Sequence, residues 1–397
     1  MFRFAIAPTK DMDIDNLRLA ILNYLLSQQH QAPFTVRIED LDKEAVIEGK
    51  DTEMMQILEK FALKHTTVLH QSERKNIHQT LAIGLLKEGK AFICTCENNV
   101  CNGRCVHKEK QALETIQKSA KPFSLRIKNE EDSSTSFVIL NNDTTPSALF
   151  ATACDDMLEG IEYIVAQERL KPQQKQLESI KKYLGYQEHT TYLYLPDIET
   201  KENQTYTLQW LFEEGYIPDA IINHILLLGY NDAPKELFTL PEAIAWFDIE
   251  KVSKEHALFD IDKLRLLNQE HLKRLDDKLL STVFGFADEK IGKLAKLYIE
   301  HGAATLKELK AHITPIFTPK TFEGKWETQM RTLEKLIWEA PVLHEYDDFI
   351  QYLMEKSKLE EPAFFIPLRM LLTGTQSGPE LSEIYPLIKS YILEIAS

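Results

Sequence analysis

The sequence predicts an α/β fold with a parallel, doubly wound sheet, followed by a long all-helical region. Near the start of the chain, short apolar strands alternate with amphipathic helices, a pattern typical of parallel sheets covered by helices. From about residue 263 to the end, apolar residues recur at helical spacing almost throughout. A cluster of cysteines lies between these regions and indicates a metal-binding insertion.

The elements follow from apolar periodicity and turn residues. Phe2 to Ile6 is an apolar strand, and the polar turn after Pro8-Thr9 leads into a helix over residues 17–29. A short strand from Phe34 ends in carboxylates at Glu39 and Asp40. Further helices are expected over residues 43–63, 74–89 and 107–119, and further strands over 123–127 and 137–140.

Bulk properties restrict the function class. The chain has 397 residues, 44% of them hydrophobic, which is enough for two or three domains with buried cores. Its net charge of −15 argues against a general nucleic-acid binder, so any RNA contact needs a local basic face. No signal sequence or apolar run of membrane-spanning length is present, so we expect a cytoplasmic protein without a membrane partner.

The junction after the first strand is a candidate phosphate site. A strand, a tight turn and the start of a helix direct backbone N–H groups and the positive helix end at one point. Here, however, the turn and the first helical residues carry carboxylates at Asp13 and Asp15. At ~4 Å and an effective dielectric of ~20, one like-charge contact with an anion costs about 4 kcal/mol. The alternative is that these carboxylates recruit Mg²⁺, which then holds phosphates.

Four of the five cysteines have the spacing C-x-C-x4-C-x3-C, formed by Cys94, Cys96, Cys101 and Cys105. Four thiolates at such spacing can converge on one tetrahedral ion, and zinc prefers that geometry. Four protein ligands leave no open coordination position, so the zinc would be structural. The alternative is a loop with free or buried thiols.

The motifs resemble those of class I glutamyl-tRNA synthetases along essentially the whole chain. That family opens R-F-A-P-S-P-T-G-x-x-H-I-G-x-x-R, and the residues in register with it are Arg3-Phe4-Ala5, Pro8-Thr9, Ile14 and Arg18. Later matches are Asp155-Asp156 with Gly160, the segment from Trp210 to Ala220, and the segment from Phe364 to Leu381. The resemblance implies a Rossmann-like catalytic core over 1–240 with a cysteine-rich insertion over 91–135. It further implies a helical stem-contact connector over 241–290 and an anticodon-binding-type domain over 291–397.

The chemistry-bearing positions of that family are altered here. Asp13 stands for the signature histidine and Asp15 for the signature glycine. The second signature is a lysine-rich loop, K-M-S-K-R, but the stretch between Leu195-Pro196 and Trp210 is shortened and its central part keeps only Lys201. Lys251-Val252-Ser253-Lys254 looks like that loop but falls at the family's connector. These changes argue against Mg-ATP as a cofactor.

The resemblance implies a substrate pocket at Arg3, Glu39, Asn141, Ala148 and Ala166. Glu39 corresponds to a glutamate that helps to hold the substrate amino group. Asn141 replaces an arginine, Ala148 replaces a tyrosine, and Ala166 replaces the arginine that would pair with the substrate's side-chain carboxylate. Without that charge-assisted bond, the pocket has little with which to select glutamate.

The motifs and their alterations leave three functions open. The first is a glutamyl-tRNA synthetase-like protein that binds tRNA through its C-terminal helices, or binds a partner synthetase or amidotransferase, with glutamate activation impaired or lost. The alternative is an active glutamate–tRNA ligase that charges tRNA through glutamyl-adenylate. A third reading is an enzyme for another small acid on the same scaffold.

Overall fold

The computed structural model describes residues 1–96, 101, 105, 122–128, 136–201 and 204–396. The helix predicted over 107–119 lies outside these residues. The chain divides into two compact units, 1–209 with 225–259, and 210–224 with 260–397. The catalytic core, the cysteine-rich insertion, the connector and the anticodon-binding-type domain remain predictions.

Among the described residues, unit 1 contains ten strands and most of the buried polar and charged residues. The strands are β1 Phe2–Ile6, β2 Phe34–Ile38, β3 Thr67–His70, β4 Ala91–Cys94, β5 Ser124–Lys128, β6 Ser136–Leu140, β7 Tyr163–Gln167, β8 Thr191–Leu195, β9 Glu199–Thr200 and β10 Leu258–Phe259. Its helices are α1 Ile14–Gln29, α2 Lys50–Lys60, α3 Lys75–Lys87, α4 Ala148–Leu158, α5 Gln174–Tyr183 and α8 Leu240–Trp246. Helices α6 Leu208–Glu213 and α7 Pro218–Leu227 contain the residues at which the chain passes between the units.

The first sheet has the order β1-β2-β3, and its strands are parallel. Helix α1 connects β1 to β2 and packs on the sheet with a face that includes Leu17, Ile21 and Leu25, all fully buried. This arrangement confirms the parallel α/β core that the alternating pattern predicts. Strands β7 and β8 form another parallel pair, and β9 pairs in parallel with β10.

Strands β4, β5 and β6 form an antiparallel sheet. Helices α3, α4 and α5 share one apolar core with this sheet, which includes Ile93, Ile127, Ile139, Phe150 and Ile180. Because α4 follows β6 closely and also carries two buried aspartates, this core joins the sheet to the candidate site.

Helix α1 begins earlier than the apolar pattern predicts, and helix α2 begins later. Helix α1 starts at Ile14 rather than residue 17, because Asp13 caps it. Helix α2 covers residues 50–60 rather than 43–63: turns precede it, and Gly49 adopts the left-handed conformation with φ of 76° directly before its first residue.

Unit 2 is helical in its described residues, as predicted for the second half of the chain. Its helices are α9 Ile261–Arg274, α10 Asp277–Val283, α11 Glu289–Glu300, α12 Leu306–Ile313, α13 Glu327–Glu339, α14 Tyr346–Ser357, α15 Phe365–Thr373, α16 Leu381–Ile388 and α17 Ile392–Ile395. Gly292 of α11 lies so close to α10 that a Cβ there would overlap the carbonyl oxygen of Asp277. Close packing therefore brings these two helices together, and an ion pair between Lys296 and Asp277 at 2.7 Å also joins them.

Among the described residues, no helix combines the length and the apolar character needed to cross a bilayer.

Candidate functional site

The structure brings four of the five predicted pocket residues together. Arg3, Glu39, Ala148 and Ala166 line one cavity of about 200 Å³ in unit 1. They come from β1, the end of β2, the start of α4, and β7. An engineered cavity of roughly 150 Å³ holds benzene, so this cavity has room for a molecule of amino-acid size.

A buried ion network fixes the polar side of this cavity. Asp156 of α4 is fully buried and accepts hydrogen bonds from Arg3 Nε at 2.6 Å and Nη2 at 3.1 Å, and from Arg37 Nη1 at 2.6 Å. Arg37 also donates through Nη2 to Glu39 Oε1 at 3.2 Å. Burial alone would raise the pKa of Asp156, but the charges of Arg3 and Arg37 outweigh it and lower that pKa. The arginines and Asp156 therefore stay ionised and hold α4 against β1 and β2.

The neighbouring Asp155 anchors the other side of α4. It accepts hydrogen bonds from Gln71 Nε2 at 3.0 Å and Arg74 Nη1 at 3.1 Å, and it contacts His78 Nε2 at 2.8 Å. Burial opposes its ionisation, but these partners lower the pKa of Asp155. The Asp155-Asp156 pair thus has a structural role in which one carboxylate faces the strands and the other faces α3 and the turn before it.

The far wall of the cavity includes residues that sequence reasoning missed. Tyr192 and Tyr194 of β8 both line the cavity, and their rings stack with centroids 5.9 Å apart. Behind them, buried Lys181 donates to Thr190 Oγ1 at 2.9 Å, and burial lowers the pKa of Lys181. The alternation in Thr191-Tyr192-Leu193-Tyr194-Leu195 was the available signal, because side chains two apart on a strand share a face.

The fifth predicted pocket residue lies elsewhere. Asn141 lines a second cavity of about 930 Å³, which adjoins the first because Glu39 and Ala148 line both. The Asn141 amide nitrogen donates to Thr145 Oγ1 at 3.3 Å, within a tight turn after β6. Asn141 is therefore held by its own turn and is not part of the smaller cavity.

At the N-terminus of α1, the Asp13 side chain caps one backbone N–H group, that of Asn16. Its Oδ1 accepts from the Asn16 backbone N–H at 3.0 Å, while Asn16 Oδ1 accepts from the Asp13 N–H at 3.2 Å. Lys10 Nζ contacts Asp13 Oδ2 at 2.6 Å. This reciprocal capping box uses asparagine where glutamate or glutamine is usual, so the sequence pattern did not reveal it.

Asp15 connects the first turn of α1 to the segment after β8. Its Oδ1 accepts from the Ile198 backbone N–H at 2.9 Å. Burial raises the pKa of Asp15 to about 6; the charges of Asp13 and Asp197 add to this effect, and the hydrogen bond from Ile198 opposes it. Buried Arg18 donates to the carbonyl oxygens of Pro196 and Leu228 at 3.3 and 3.4 Å. Three carboxylates therefore gather at the position predicted for phosphate.

The second signature region is reduced in length. Lys201 is exposed and directly follows β9, whose partner strand is β10. Lys251 of the lysine-rich segment at 251–254 forms an ion pair with Asp232 at 3.1 Å. That contact gives Lys251 a surface pairing, and the assignment of this segment to a connector stays a prediction.

The four clustered cysteines converge. Their sulfur atoms all lie within 4.8 Å of one another, and the Sγ atoms of Cys96 and Cys105 are 3.4 Å apart. Zinc–thiolate bonds of about 2.3 Å place the sulfurs of a tetrahedral site roughly 3.8 Å apart, so the residues present fit such an ion. Cys94 at the end of β4 and Cys105 are buried, and Cys96 and Cys101 are half-buried.

Comparisons with known proteins identify the family of this chain. The model of the family "tRNA synthetases class I (E and Q), catalytic domain" matches residues 1–123 and 105–266. Glutamate--tRNA ligase 2 of Sulfurovum sp. strain NBC37-1 is 51% identical over the full length of both chains, and that of Sulfurimonas denitrificans is 39% identical, also over both full lengths.

A solved structure supports the fold. The crystal structure of a glutamate tRNA ligase from Elizabethkingia meningosepticum, in complex with its amino acid, superposes with a TM-score of 0.75 over 99% of this chain and 97% of that one, at 22% identity. The Rossmann-like core and the helical C-terminal region are those of a class I tRNA synthetase. With two full-length relatives well above 30% identity and a matching catalytic-domain model, the chain belongs to the glutamate--tRNA ligase family.

Proposed function

We propose that this chain is a tRNA-binding member of its family in which ATP-dependent activation of glutamate is impaired or lost. The observation that carries the proposal is the cluster of Asp13, Asp15 and Asp197 at the N-terminus of α1. Asp13 occupies the Asn16 N–H group, which a phosphate could otherwise use, and the added negative charge repels a triphosphate. The shortened segment with Lys201 offers little positive charge to offset it.

The substrate pocket supports the same proposal. The charged side chains that line the smaller cavity are Arg3 and Glu39, and Arg3 is already bonded twice to Asp156. Among the described residues, this lining offers the second carboxylate of glutamate only Arg3 as a cation, and Arg3 is shared with Asp156. Selection of glutamate by a charge-assisted bond is therefore weakened.

The role in tRNA binding rests on the family and on the persistent helical unit. Both full-length relatives carry the name glutamate--tRNA ligase, and unit 2 is helical in its described residues. Lys and Arg residues on these helices would supply the local basic face that the net charge of −15 otherwise withholds.

An active glutamate–tRNA ligase is the alternative. The observation that favours it is that Arg3, Glu39, Ala148 and Ala166 still line one formed cavity of amino-acid size. If the protein is active, carboxylates at the α1 N-terminus would have to hold Mg²⁺ and, through it, the phosphates.

Glutamate-dependent ATP–pyrophosphate exchange separates the two functions. The natural chain is expected to show no exchange above background while it retains salt-dependent tRNA binding in a filter assay. The double variant Asp13→His with Asp15→Gly restores the signature residues and removes both carboxylates, so any residual activity should rise. Exchange by the natural chain at the rate of an authentic synthetase would contradict the proposal.

We propose that the cysteine cluster holds one structural zinc ion. Cys96→Ser removes one ligand and should lower the zinc content from about one equivalent towards zero by elemental analysis. Cys154→Ser is the matched control, because Cys154 is buried outside the cluster and should leave zinc content unchanged. Zinc retained at one equivalent in Cys96→Ser would refute the assignment.

A further inference from the structure

We infer that the outer edge of β8 docks an extended, acidic peptide segment of a partner protein, which adds to the sheet as a further strand. Among the described strands, β8 pairs with β7 alone. A cavity of about 430 Å³ in unit 1, the edge groove, is lined by residues 190–194 and also by Lys171 and Lys254. Its lining includes none of the three aspartates at the N-terminus of α1, so this surface is separate from the predicted phosphate position.

The lining places the edge groove alongside the backbone of β8. Four successive residues of the strand, 191–194, line it. Successive side chains of a strand point to opposite faces, so a cavity over one face meets only every second residue. The smaller cavity described above fits that pattern, because Tyr192 and Tyr194 are the residues of β8 that line it. The edge groove therefore follows the edge of the strand rather than one face of the sheet.

The backbone of β8 directs hydrogen-bonding groups towards this groove. The Thr191 N–H donates to the Glu162 carbonyl oxygen at 2.8 Å, and Thr191 lies opposite Tyr163 in the parallel register. Backbone groups alternate between the two edges of a strand, so the N–H and C=O groups of Tyr192 and Tyr194 point away from β7. Among the described residues, no backbone hydrogen bond outside the sheet uses either of these N–H groups. An added strand would bond to them.

The charge of the lining favours an acidic segment. Lys171 and Lys254 are exposed, and neither forms an ion pair with another residue that the structure describes. Glu168 is the carboxylate of the lining, so two lysines face one glutamate in a chain whose net charge is −15. Carboxylates on the added strand would pair with these lysines. A second copy of the same edge would bring lysines against lysines, which disfavours self-pairing.

The strand itself carries no device that prevents edge pairing. Its sequence, T-Y-L-Y-L, contains neither a charged residue nor a proline, the residues that commonly protect an exposed edge. The lysines flank the edge instead of lying on the strand. RNA is less well matched to this surface, because two lysines neutralise few phosphates and a nucleic acid does not use a row of backbone groups. A peptide uses both features.

Fluorescence anisotropy with the full chain tests the docking. The probe is a labelled peptide of about eight residues in which valine and glutamate alternate, and it should reach half-saturation at or below about 1 mM. A control peptide with glutamine in place of each glutamate should bind at least about tenfold more weakly. A second control is N-methylated at two adjacent central residues, which blocks both of its edges, and it should not bind. Equal binding by either control, or no binding by the probe at about 1 mM, would overturn the inference.

Charge reversal assigns the effect to the groove. Lys171→Glu combined with Lys254→Glu should weaken probe binding at least about fivefold. Lys64→Glu combined with Lys87→Glu is the matched control, because both lysines are exposed outside the lining and the net charge changes equally. This control should change the affinity by less than about twofold. Equal losses in the two double variants would show that net charge, and not this groove, attracts the peptide.

A proline in β8 tests the backbone contribution. Tyr194→Pro removes an N–H group that points away from β7 and leaves the bonds between β7 and β8 in place. Tyr194→Ala removes the same ring and keeps the N–H group, so the proline variant should bind the probe at least about fivefold more weakly than the alanine variant. If Tyr194→Pro does not fold, the N-methylated peptide decides the same point. Lysine-dependent binding of an oligouridine without binding of the probe would overturn the inference in favour of an RNA surface.

Discussion

Two pairs of aspartates in unit 1 have opposite electrostatic surroundings. Asp155 and Asp156 are fully buried, yet arginines and a histidine lower the pKa of both. Asp13 and Asp15 lie at the start of α1, where burial and neighbouring carboxylates raise the pKa of Asp15 to about 6. The compensated pair holds the fold together. At the predicted phosphate position, Asp13 is paired with Lys10, whereas Asp15 accepts a backbone hydrogen bond from Ile198. The surroundings therefore favour the ionised form of Asp156 and disfavour that of Asp15.

The largest effect is expected from breaking the compensated pair. Asp156→Asn leaves Arg3 and Arg37 buried without their shared counter-charge, and the free energy of unfolding should fall by about 3–5 kcal/mol. Asp11→Asn is the matched control, because it breaks an ion pair between exposed Asp11 and Lys50 and should cost less than about 1 kcal/mol. Urea unfolding curves of the two variants measure the difference, and equal losses would show that burial does not separate the pairs.

A smaller effect of opposite sign is expected at Asp15. Asp15 has a higher pKa in the folded chain, about 6, than its ordinary 3.8, so the folded state binds more protons between these values. The protonated Asp15 carboxyl contributes to the free energy of unfolding below pH 3.8, and this contribution is lost as the pH rises through 6. Asp15→Asn keeps an acceptor for Ile198 and removes the charge, so at pH 8 it should be more stable than the natural chain by roughly 2 kcal/mol.

The pH dependence is the decisive part of that measurement. The stability gain of Asp15→Asn should shrink towards zero as the pH falls to about 4, because the natural carboxyl is then protonated as well. A gain that is the same at pH 4 and pH 8 would mean that ionisation of Asp15 is not its cause. Denaturant unfolding at both pH values gives the comparison.

Much of the fold could be predicted because its signals are local. The apolar pattern predicted β1 and β2, and helical spacing predicted α1 except for its first turn. The beginning of α1 was misplaced because Asp13 and Asn16 form a capping box with an unusual partner. The helices of unit 2 were predictable from the same periodicity.

The candidate site was less accessible to sequence reasoning. Residues Arg3, Glu39, Ala148 and Ala166 came from family resemblance, because nothing local indicates that they share a cavity. The bonds of Arg3 and Arg37 to Asp156 span 153 and 119 positions in the chain, so no short motif contains them. The bonds to Asp156 and Glu39 engage two nitrogen atoms of each arginine, and only the folded arrangement shows which ones.

The most direct test of the central claim is calorimetric titration of the full chain with ATP, in the presence of Mg²⁺ and glutamate. If the carboxylates at the α1 N-terminus exclude the triphosphate, no heat of binding is expected at millimolar nucleotide. Clear ATP binding that is abolished by Asp13→Ala would contradict the account. It would mean that Asp13 and Asp15 form part of a metal-assisted nucleotide site, and the active ligase would then be the better description.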